Sequence, residues 1–220
     1  MARQAAERLF QMKKTQIQMM EDRGYVIDED EKTIFDWSLD DFITAYKELA
    51  IAENKDFRES LNRYYFNKEG ETECFVFYAR PDKDDSKLLG VNVVRKFVEE
   101  IDTTVPKTAL FITSLEVSPP GKSSIGEILV TRTQIFYDRE LMFNPTKHVW
   151  NPVFELVENQ ANFLRENRVQ KVTQLPCIFV TDPVVKYYGF RPGSIVRIYR
   201  KNQLEGLVRT EIDYRLIVDK

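Results

Sequence analysis

The sequence predicts an α/β N-terminal part with layered helices and a mixed sheet, followed by a small α+β part with antiparallel strands. Residues 86–101 predict a helix with an apolar stripe at helical spacing, formed by Val94, Phe97, Val98 and Ile101. This helix precedes Thr108–Thr113, a short apolar strand of the kind that is buried on both faces. A helix followed by a buried strand indicates an α/β layer structure. Near the C-terminus, residues 208–218 alternate apolar and polar side chains, which predicts a half-buried antiparallel strand.

The composition excludes several classes of protein. The chain is 43% hydrophobic and 30% charged, as globular proteins are, and we expect no membrane-spanning segment because no run of about 18 apolar residues occurs. The N-terminus also lacks the apolar region of a signal peptide. Cys74 and Cys177 lie far apart, which favours two free thiols in a reducing compartment. The single histidine, His148, excludes a multi-histidine metal site, and we expect neither a metal nor another cofactor.

Charge and proline positions divide the chain. The net charge of −3 gives no overall basic signature of a nucleic-acid-binding protein. Residues 138–220 carry 13 Lys+Arg and 10 Asp+Glu, a net charge of +3, which leaves 19 and 25, a net charge of −6, for residues 1–137. Asn144-Pro145 and Asn151-Pro152 favour chain breaks in the same region. We therefore predict domains at residues 1–140 and 141–220.

The N-terminal part begins with helices and a hairpin. The first helix ends near Gly24, with Lys13 off an apolar face that contains Ala6, Leu9, Phe10, Ile17 and Met20. Ser38 to Asp41 resembles a capping box and begins a helix that reaches about Ala50. Aromatic-rich segments at residues 63–67 and 74–80 predict a hairpin.

Prolines predict the next boundaries. Pro119-Pro120-Gly121 predicts an irregular loop, which a strand at about 128–137 follows. Pro152 suits the first position of a helix at residues 153–167.

The final segment has the clearest local signals. Asp182-Pro183 is an N-cap followed by proline, and Gly189 closes that short helix. Arg191-Pro192-Gly193-Ser194 has the residue order of a type II turn. The turn leads into a strand that reaches Lys201 and pairs with residues 208–218.

Two short motifs resemble catalytic signatures. Gly121-Lys122-Ser123 resembles the end of a phosphate-binding loop, but Glu116 stands where that motif requires its first glycine. Asp82 and Asp85 resemble the acids of metal-dependent nucleases, which lie on adjacent strands. Here both acids share one polar loop before a helix, so N-capping and solvation explain them better.

His148 and a group of basic residues leave alternatives open. A nucleophile paired with His148 stays possible, although no G-x-S-x-G motif or similar frame supports it. The final hairpin is surrounded by Arg191, Arg197, Arg200 and Lys201. This group is either a solvated face or a surface that binds carboxylates or phosphates.

The C-terminal residues also form an ordered set of motifs, namely Gln174-Leu175-Pro176, residues 182–189 (DPVVKYYG), residues 191–201 (RPGSIVRIYRK) and residues 214–218 (YRLIV). This set resembles the C-terminal assembly domain of the fifth-largest subunit shared by the eukaryotic nuclear RNA polymerases. It is similar also to a small subunit of the archaeal RNA polymerase, which consists of that domain alone. The resemblance spans about 45 residues in order.

The N-terminal half is similar to the eukaryotic jaw domain of the same family. Residues 22–25 (DRGY) after the opening helix and residues 39–42 (LDDF) at the second helix carry this similarity. The linker departs from the family pattern H-x-L-V-P-x-H, since the chain keeps only Leu141, Pro145 and His148. This departure suggests a divergent member, encoded by a large DNA virus or a distant protist.

The resemblance implies a non-catalytic subunit of a multi-subunit DNA-directed RNA polymerase, because the two largest subunits synthesise the RNA. The assembly domain would dock on the largest subunit, beside neighbouring small subunits, through Asp182, Arg191, Gly193, Arg197, Arg200, Tyr214 and His148. The jaw domain would form part of the lower jaw, with Pro119 and Lys122 near downstream DNA and only weak backbone contacts. The location would be the nucleus for a cellular protein, and a cytoplasmic viral factory or the virion for a viral one.

Other classes of function compete with this interpretation. A free-standing metal-dependent nuclease would use Asp82 and Asp85 in the first domain. A stand-alone adaptor would bind partners without any polymerase.

Overall fold

The computed structural model describes residues 3–69, 72–81, 87–128, 131–148, 151–204 and 207–219. The chain divides into two compact units, Met1–Phe143 and Asn144–Lys220. The helices of the first unit are α1 (Arg3–Asp22), α2 (Glu29–Lys32), α3 (Leu39–Ala52), α4 (Val91–Thr104) and α5 (Pro119–Gly126). Its strands are β1 (Arg63–Phe66), β2 (Thr72–Tyr78), β3 (Leu88–Leu89), β4 (Thr108–Thr113), β5 (Glu116–Val117) and β6 (Arg132–Tyr137). The second unit contains β7 (Val153–Leu156), α6 (Gln160–Glu166), β8 (Cys177–Phe179), α7 (Pro183–Tyr188), β9 (Ile195–Leu204) and β10 (Leu207–Val218).

The first unit is built on a mixed sheet in the order β1-β2-β4-β6. Strands β2, β4 and β6 run parallel, and β1 pairs antiparallel with β2 as the predicted hairpin requires. A second small sheet pairs β3 with β5 in parallel. The two-part α/β architecture with a mixed sheet was therefore predicted correctly.

Aromatic rings fill the layer between α4 and the sheet. The Phe97 ring on α4 lies 4.9 Å from Phe111 of β4 and 5.4 Å from Phe77 of β2, measured between centroids. Burial of such rings is the main stabilising contribution in a core of this kind. Gly121 lets α5 approach this layer, because a Cβ there would lie 2.9 Å from Val117 Cγ1 and 3.1 Å from Val94 Cγ2.

Arg58 joins the carboxyl ends of the parallel strands. Its Nε donates to the Ala79 carbonyl at 2.7 Å, and its two terminal nitrogens donate to the Asp138 carboxylate at 2.6 and 2.9 Å. Ala79 follows β2 and Asp138 follows β6, so the guanidinium bridges the sheet edge. Such a bidentate ion pair fixes the relative orientation of the two side chains as well as pairing their charges.

The prediction for Lys13 was wrong. Its side chain is only 1% exposed, and its Nζ lies 2.8 Å from the Glu31 carboxylate. Tyr65 donates to Glu31 at 2.6 Å and accepts a hydrogen bond from Gln16 at 2.9 Å, while Lys13 donates to Gln16 at 3.0 Å. A buried charge is tolerated when it is paired and hydrogen-bonded, and the acid that pairs with Lys13 is distant in sequence.

The irregular loop predicted at Pro119-Pro120-Gly121 is instead the first turn of α5. Prolines at the first two helical positions remove only amides that have no partner within the helix. The strand predicted at about 128–137 is β6, which begins at Arg132.

The helix predicted at residues 153–167 was also wrong in its first half. Val153–Leu156 forms β7, which pairs antiparallel with β9, and only Gln160–Glu166 is helical. Asn159 caps α6 by accepting from the Asn162 amide at 2.9 Å. The edge of β9 offers backbone hydrogen bonds to residues 153–156, and this tertiary pairing overrides the helical pattern.

The sheet of the second unit has the order β7-β9-β10-β8 and is covered on both faces at one end. Val185 of α7 packs with Val196, Ile198 and Ile217 on one face. Phe163 of α6 packs with Ile195 and Leu216 on the other. The half-buried strand expected at residues 208–218 is therefore buried on both sides at Leu216 and Ile217, while Ile212 is 52% exposed. Strand β8 pairs with β10 in parallel, which the sequence did not predict.

The local signals around α7 were predicted correctly. Asp182 accepts from the Val184 and Val185 amides at 2.9 and 3.2 Å, and Gly189 ends the helix at φ +67°. Gly193 has φ +84°, and the Ser194 amide donates to the Arg191 carbonyl at 3.2 Å, as a type II turn requires. Among the described residues, no helix combines the length and apolar character needed to cross a membrane.

Candidate functional site

Three strands of the second unit align a charged row with two tyrosines. The strand register places Glu155 of β7 and Tyr214 of β10 on either side of Arg197 in β9. Arg197 Nη1 donates to the Tyr199 hydroxyl at 3.2 Å and to Glu155 at 3.4 Å, and Tyr199 donates to Glu155 at 2.7 Å. The guanidinium carbon lies 5.6 Å from the centre of the Tyr214 ring. The arginine is thus held in one orientation on the sheet.

The row extends into an apolar patch on the same face. Tyr199 stands between Val153 and Ile212 in the register, and those two side chains are 61% and 52% exposed. We call these residues the Arg197 face, which comprises Val153, Glu155, Arg197, Tyr199, Ile212 and Tyr214. An arginine and tyrosines beside exposed aliphatic side chains are typical of the centre of a protein interface.

The electrostatics of Arg197 suit a fixed charge. The hydrogen bond to Tyr199 makes the largest contribution to raising the pKa of Arg197 above its ordinary value, and the neighbouring Tyr214 contributes further. Within the described part of the chain, its buried Nε has no hydrogen-bond acceptor. A donor left without an acceptor is unfavourable unless a further group supplies one.

The other predicted partner-binding residues are spread over the second unit. Arg200 lies in register with Glu211, three positions after Arg197, so the alternation of side chains places it on the opposite face of the sheet. Asp182 and Gly193 serve the local structure as a helix cap and a turn residue. Arg191 is exposed in that turn, and His148 is exposed after the 3₁₀ turn Pro145–Lys147. Within the predicted set, Arg197 and Tyr214 are paired across two strands, and Arg191 and Gly193 share one turn.

In the first unit, Lys122 belongs to a small polar cluster. Its Nζ lies 3.6 Å from the Glu116 carboxylate, which also accepts from the Tyr137 hydroxyl at 2.7 Å. That hydrogen bond holds the pKa of Glu116 below its ordinary value, with a further contribution from Lys122. The pKa of Tyr137 is raised to about 12, mainly by burial and secondly by its hydrogen bond to Glu116. Pro119, the other predicted residue, is exposed at the start of α5.

Sequence reasoning missed Arg139 and Glu155. The Arg139 guanidinium lies 5.0 Å from the centre of the Tyr137 ring, which adds a second cation to the Lys122 cluster. The pairing of Thr113 with Tyr137 brings the ends of β4 and β6 together. A correct prediction of this strand pairing would therefore have indicated that residues just beyond β4 and β6 lie near one another. Glu155 was assigned to a helix, and that error hid its place beside Arg197.

The structure gives no support to the catalytic motifs. Within the described ranges, no group of three or more His, Cys, Asp or Glu side chains could hold a metal ion. Asp82 and Asp85, the acids of the nuclease alternative, lie outside the described residues. Gly121, Lys122 and Ser123 lie within α5 rather than in a loop.

The chain matches known proteins over both units. Residues 3–101 match the family model described as RNA polymerase Rpb5, N-terminal domain, and residues 143–217 match RNA polymerase Rpb5, C-terminal domain. A Caenorhabditis elegans protein named DNA-directed RNA polymerases I, II, and III subunit RPABC1 is 31% identical over 215 residues, which cover 96% of each chain.

Further relatives have related names. The Dictyostelium discoideum DNA-directed RNA polymerases I, II, and III subunit rpabc1 is 30% identical over 96% of this chain and 98% of its own length. The Arabidopsis thaliana DNA-directed RNA polymerase V subunit 5A is 24% identical over 90% of this chain and 84% of its own length. The family expected from the C-terminal motifs is thereby confirmed, and the chain belongs to the RNA polymerase Rpb5 family, whose members are non-catalytic subunits of DNA-directed RNA polymerases.

Proposed function

We propose that this chain docks on the largest subunit of a multi-subunit DNA-directed RNA polymerase, beside neighbouring small subunits, through its second unit. The Arg197 face is the observation that carries this proposal. Arg197 is held by Glu155 and the two tyrosines, so little side-chain entropy is lost when a partner binds it. Exposed Val153 and Ile212 supply apolar area beside the charge. Arg191, Arg200 and His148 stay in the proposed contact set as exposed residues outside this face.

Affinity purification of the tagged chain from its native cells tests the docking proposal. Near-equal amounts of the two largest polymerase subunits should accompany the wild-type chain. Ile212→Asp should lower their recovery about tenfold, because it puts a carboxylate into the apolar part of the interface. Arg165→Glu, a charge reversal at an exposed position of α6, is the matched control and should leave recovery unchanged. Equal recovery of the subunits with Ile212→Asp would contradict the assignment of this face.

We also propose that the first unit is the jaw domain and that Lys122 faces downstream DNA. Lys122 is 53% exposed and is held near Glu116, while Arg139 adds a second cation nearby. Contacts of this type reach only the DNA backbone and weaken as salt rises.

Lys122→Glu should weaken retention of downstream DNA by the assembled polymerase without unfolding the chain. Loss of one phosphate contact reduces the steepness of the fall of log affinity with log salt concentration by about 0.9. DNA affinity of polymerase that contains each variant, measured across a salt series, checks this. Lys47→Glu, at an exposed position of α3, is the control that should behave as wild type. Equal affinities of wild-type and Lys122→Glu polymerase at every salt concentration would refute the contact.

The origin and location of the chain complete the proposal. A cellular member would act in the nucleus, and a viral member would act in a cytoplasmic viral factory or be packaged in the virion. The polymerase subunits recovered with the tagged chain would distinguish these origins, because their sequences identify the polymerase.

A further inference from the structure

The first unit contains a cleft that the proposed function does not use. It has a volume of about 320 Å³ and lies between α3, α2 and the start of β1. Its walls include the apolar side chains of Trp37, Tyr46, Leu49 and Leu61. The buried Lys13–Glu31 pair lines the same cleft. A concave apolar site with a few polar groups is the usual form of a binding pocket.

The charges that line the cleft leave an excess of carboxylates. Lys13 is paired with Glu31 at 2.8 Å, and Arg63 with Asp28 at 2.7 Å, so both lining cations are already neutralised. Asp30 also lines the cleft, and among the described residues its carboxylate forms no ion pair or side-chain hydrogen bond. The cleft therefore attracts a cation and repels phosphate or carboxylate ligands.

Two aromatic side chains add unused polar groups. The described part of the chain supplies no hydrogen-bond partner for the Tyr46 hydroxyl or the Trp37 indole N–H. Burial raises the pKa of Tyr46, so that hydroxyl stays protonated at neutral pH. The faces of Trp and Tyr rings attract a guanidinium or an ammonium group. An indole N–H is a donor and suits the carbonyl of a peptide backbone.

We propose that this cleft binds an arginine or lysine side chain of a peptide segment in a partner protein. The cation would lie against the Trp37 and Tyr46 rings and near the Asp30 carboxylate, and its peptide carbonyl would accept from the Trp37 indole. Arginine fits best, because its planar guanidinium group stacks on an aromatic ring and pairs with a carboxylate at the same time. This interaction lies in the first unit and does not depend on docking through the Arg197 face.

Nuclear magnetic resonance titration of the full chain with short peptides tests the proposal. The reporter is the Trp37 indole N–H signal, identified by its loss in Trp37→Phe. Acetyl-Gly-Leu-Arg-Leu-Gly-amide should shift this signal at about 1 mM, the range in which a single anchor residue binds. The same peptide with citrulline in place of arginine should bind about fivefold more weakly, because it keeps the shape and loses the charge. The glutamate version should not bind.

Matched variants separate the site from general effects. Asp30→Asn should weaken the arginine peptide about threefold, the loss expected for one exposed ion pair. Glu48→Gln, at an exposed position of the same helix as Tyr46 but outside the cleft, should bind as wild type does. An unmoved Trp37 signal, equal binding of the arginine and citrulline peptides, or tighter binding of the glutamate peptide would each overturn the proposal.

Discussion

Replacing Lys13 with methionine should destabilise the first unit strongly. The substitution keeps the approximate volume of the side chain but leaves the Glu31 carboxylate, 6% exposed, without its ion pair. The hydrogen bond from Tyr65 remains, at 2.6 Å in the wild-type chain. Removing one partner of a buried ion pair typically costs about 3–5 kcal/mol of unfolding free energy. A second substitution, Glu31→Leu, removes the stranded charge and should restore most of this loss.

The pH dependence gives a second, independent measure of the same pair. Burial acts to raise the pKa of Glu31, but attraction to Lys13 and hydrogen bonds from Lys13 and Tyr65 lower it overall. A lowered folded-state pKa means that the wild-type pair stabilises above the unfolded-state pKa near 4.5 and loses that effect as pH falls through the folded value. In Lys13→Met both contributions of Lys13 are lost, while burial, the Tyr65 hydrogen bond and the attraction to Arg63 remain. Glu31 therefore protonates more readily, and the deficit of the variant should shrink as the pH falls.

Urea unfolding followed by circular dichroism, at about pH 7 and about pH 4.5, measures both effects. The wild type, both single variants and the double variant form one thermodynamic cycle. The reasoning would be refuted if Lys13→Met lost less than about 1 kcal/mol, or if its deficit were the same at both pH values.

Two further predictions concern backbone conformation and capping. Val105 ends α4 at φ +46° with its side chain 52% exposed, so Val105→Gly should raise the unfolding free energy by about 0.5–1 kcal/mol, because glycine adopts this region without strain; a lower melting temperature of the variant would contradict this. Asp182→Ala should lower the stability of the second unit by about 1 kcal/mol through loss of the cap on α7, whereas Asp182→Asn should retain most of it. Amide hydrogen exchange in α7 compares these two variants, and equal protection in both would count against the cap.

Signals that act over a few residues could be predicted from the sequence. The capping box of Ser38 and Asp41 forms as expected, with Asp in place of the usual Glu. The cap at Asp182 and the left-handed glycines at Gly189 and Gly193 were predicted for the same reason. In each case a side chain accepts a hydrogen bond from a backbone amide a few residues away, or a glycine adopts the left-handed backbone conformation that the helix end or the turn requires.

Features that depend on distant partners could not be predicted in this way. Lys13 is buried because Glu31 and Tyr65 converge on it, and no local pattern encodes that convergence. Residues 153–156 became a strand because β9 offers them an edge. The candidate sites follow the same rule. Arg197 and Tyr214 were chosen from a sequence resemblance, but Glu155 and Arg139 required the pairing of strands.

The order of strands in the first unit also constrains how the chain folds during synthesis. Strand β2 pairs with β4, and β4 pairs with β6. Strands β4 and β6 follow α4 in the chain, whereas β2 precedes it. The nine positions from Thr104, at the end of α4, to Thr113, at the end of β4, take roughly 0.5–2 s to translate at typical rates. During that interval Phe97 lacks Phe111 and one edge of β2 is unpaired. The nascent chain therefore presents an aromatic surface on which chaperones act, and a fragment that ends at residue 101 should aggregate rather than fold.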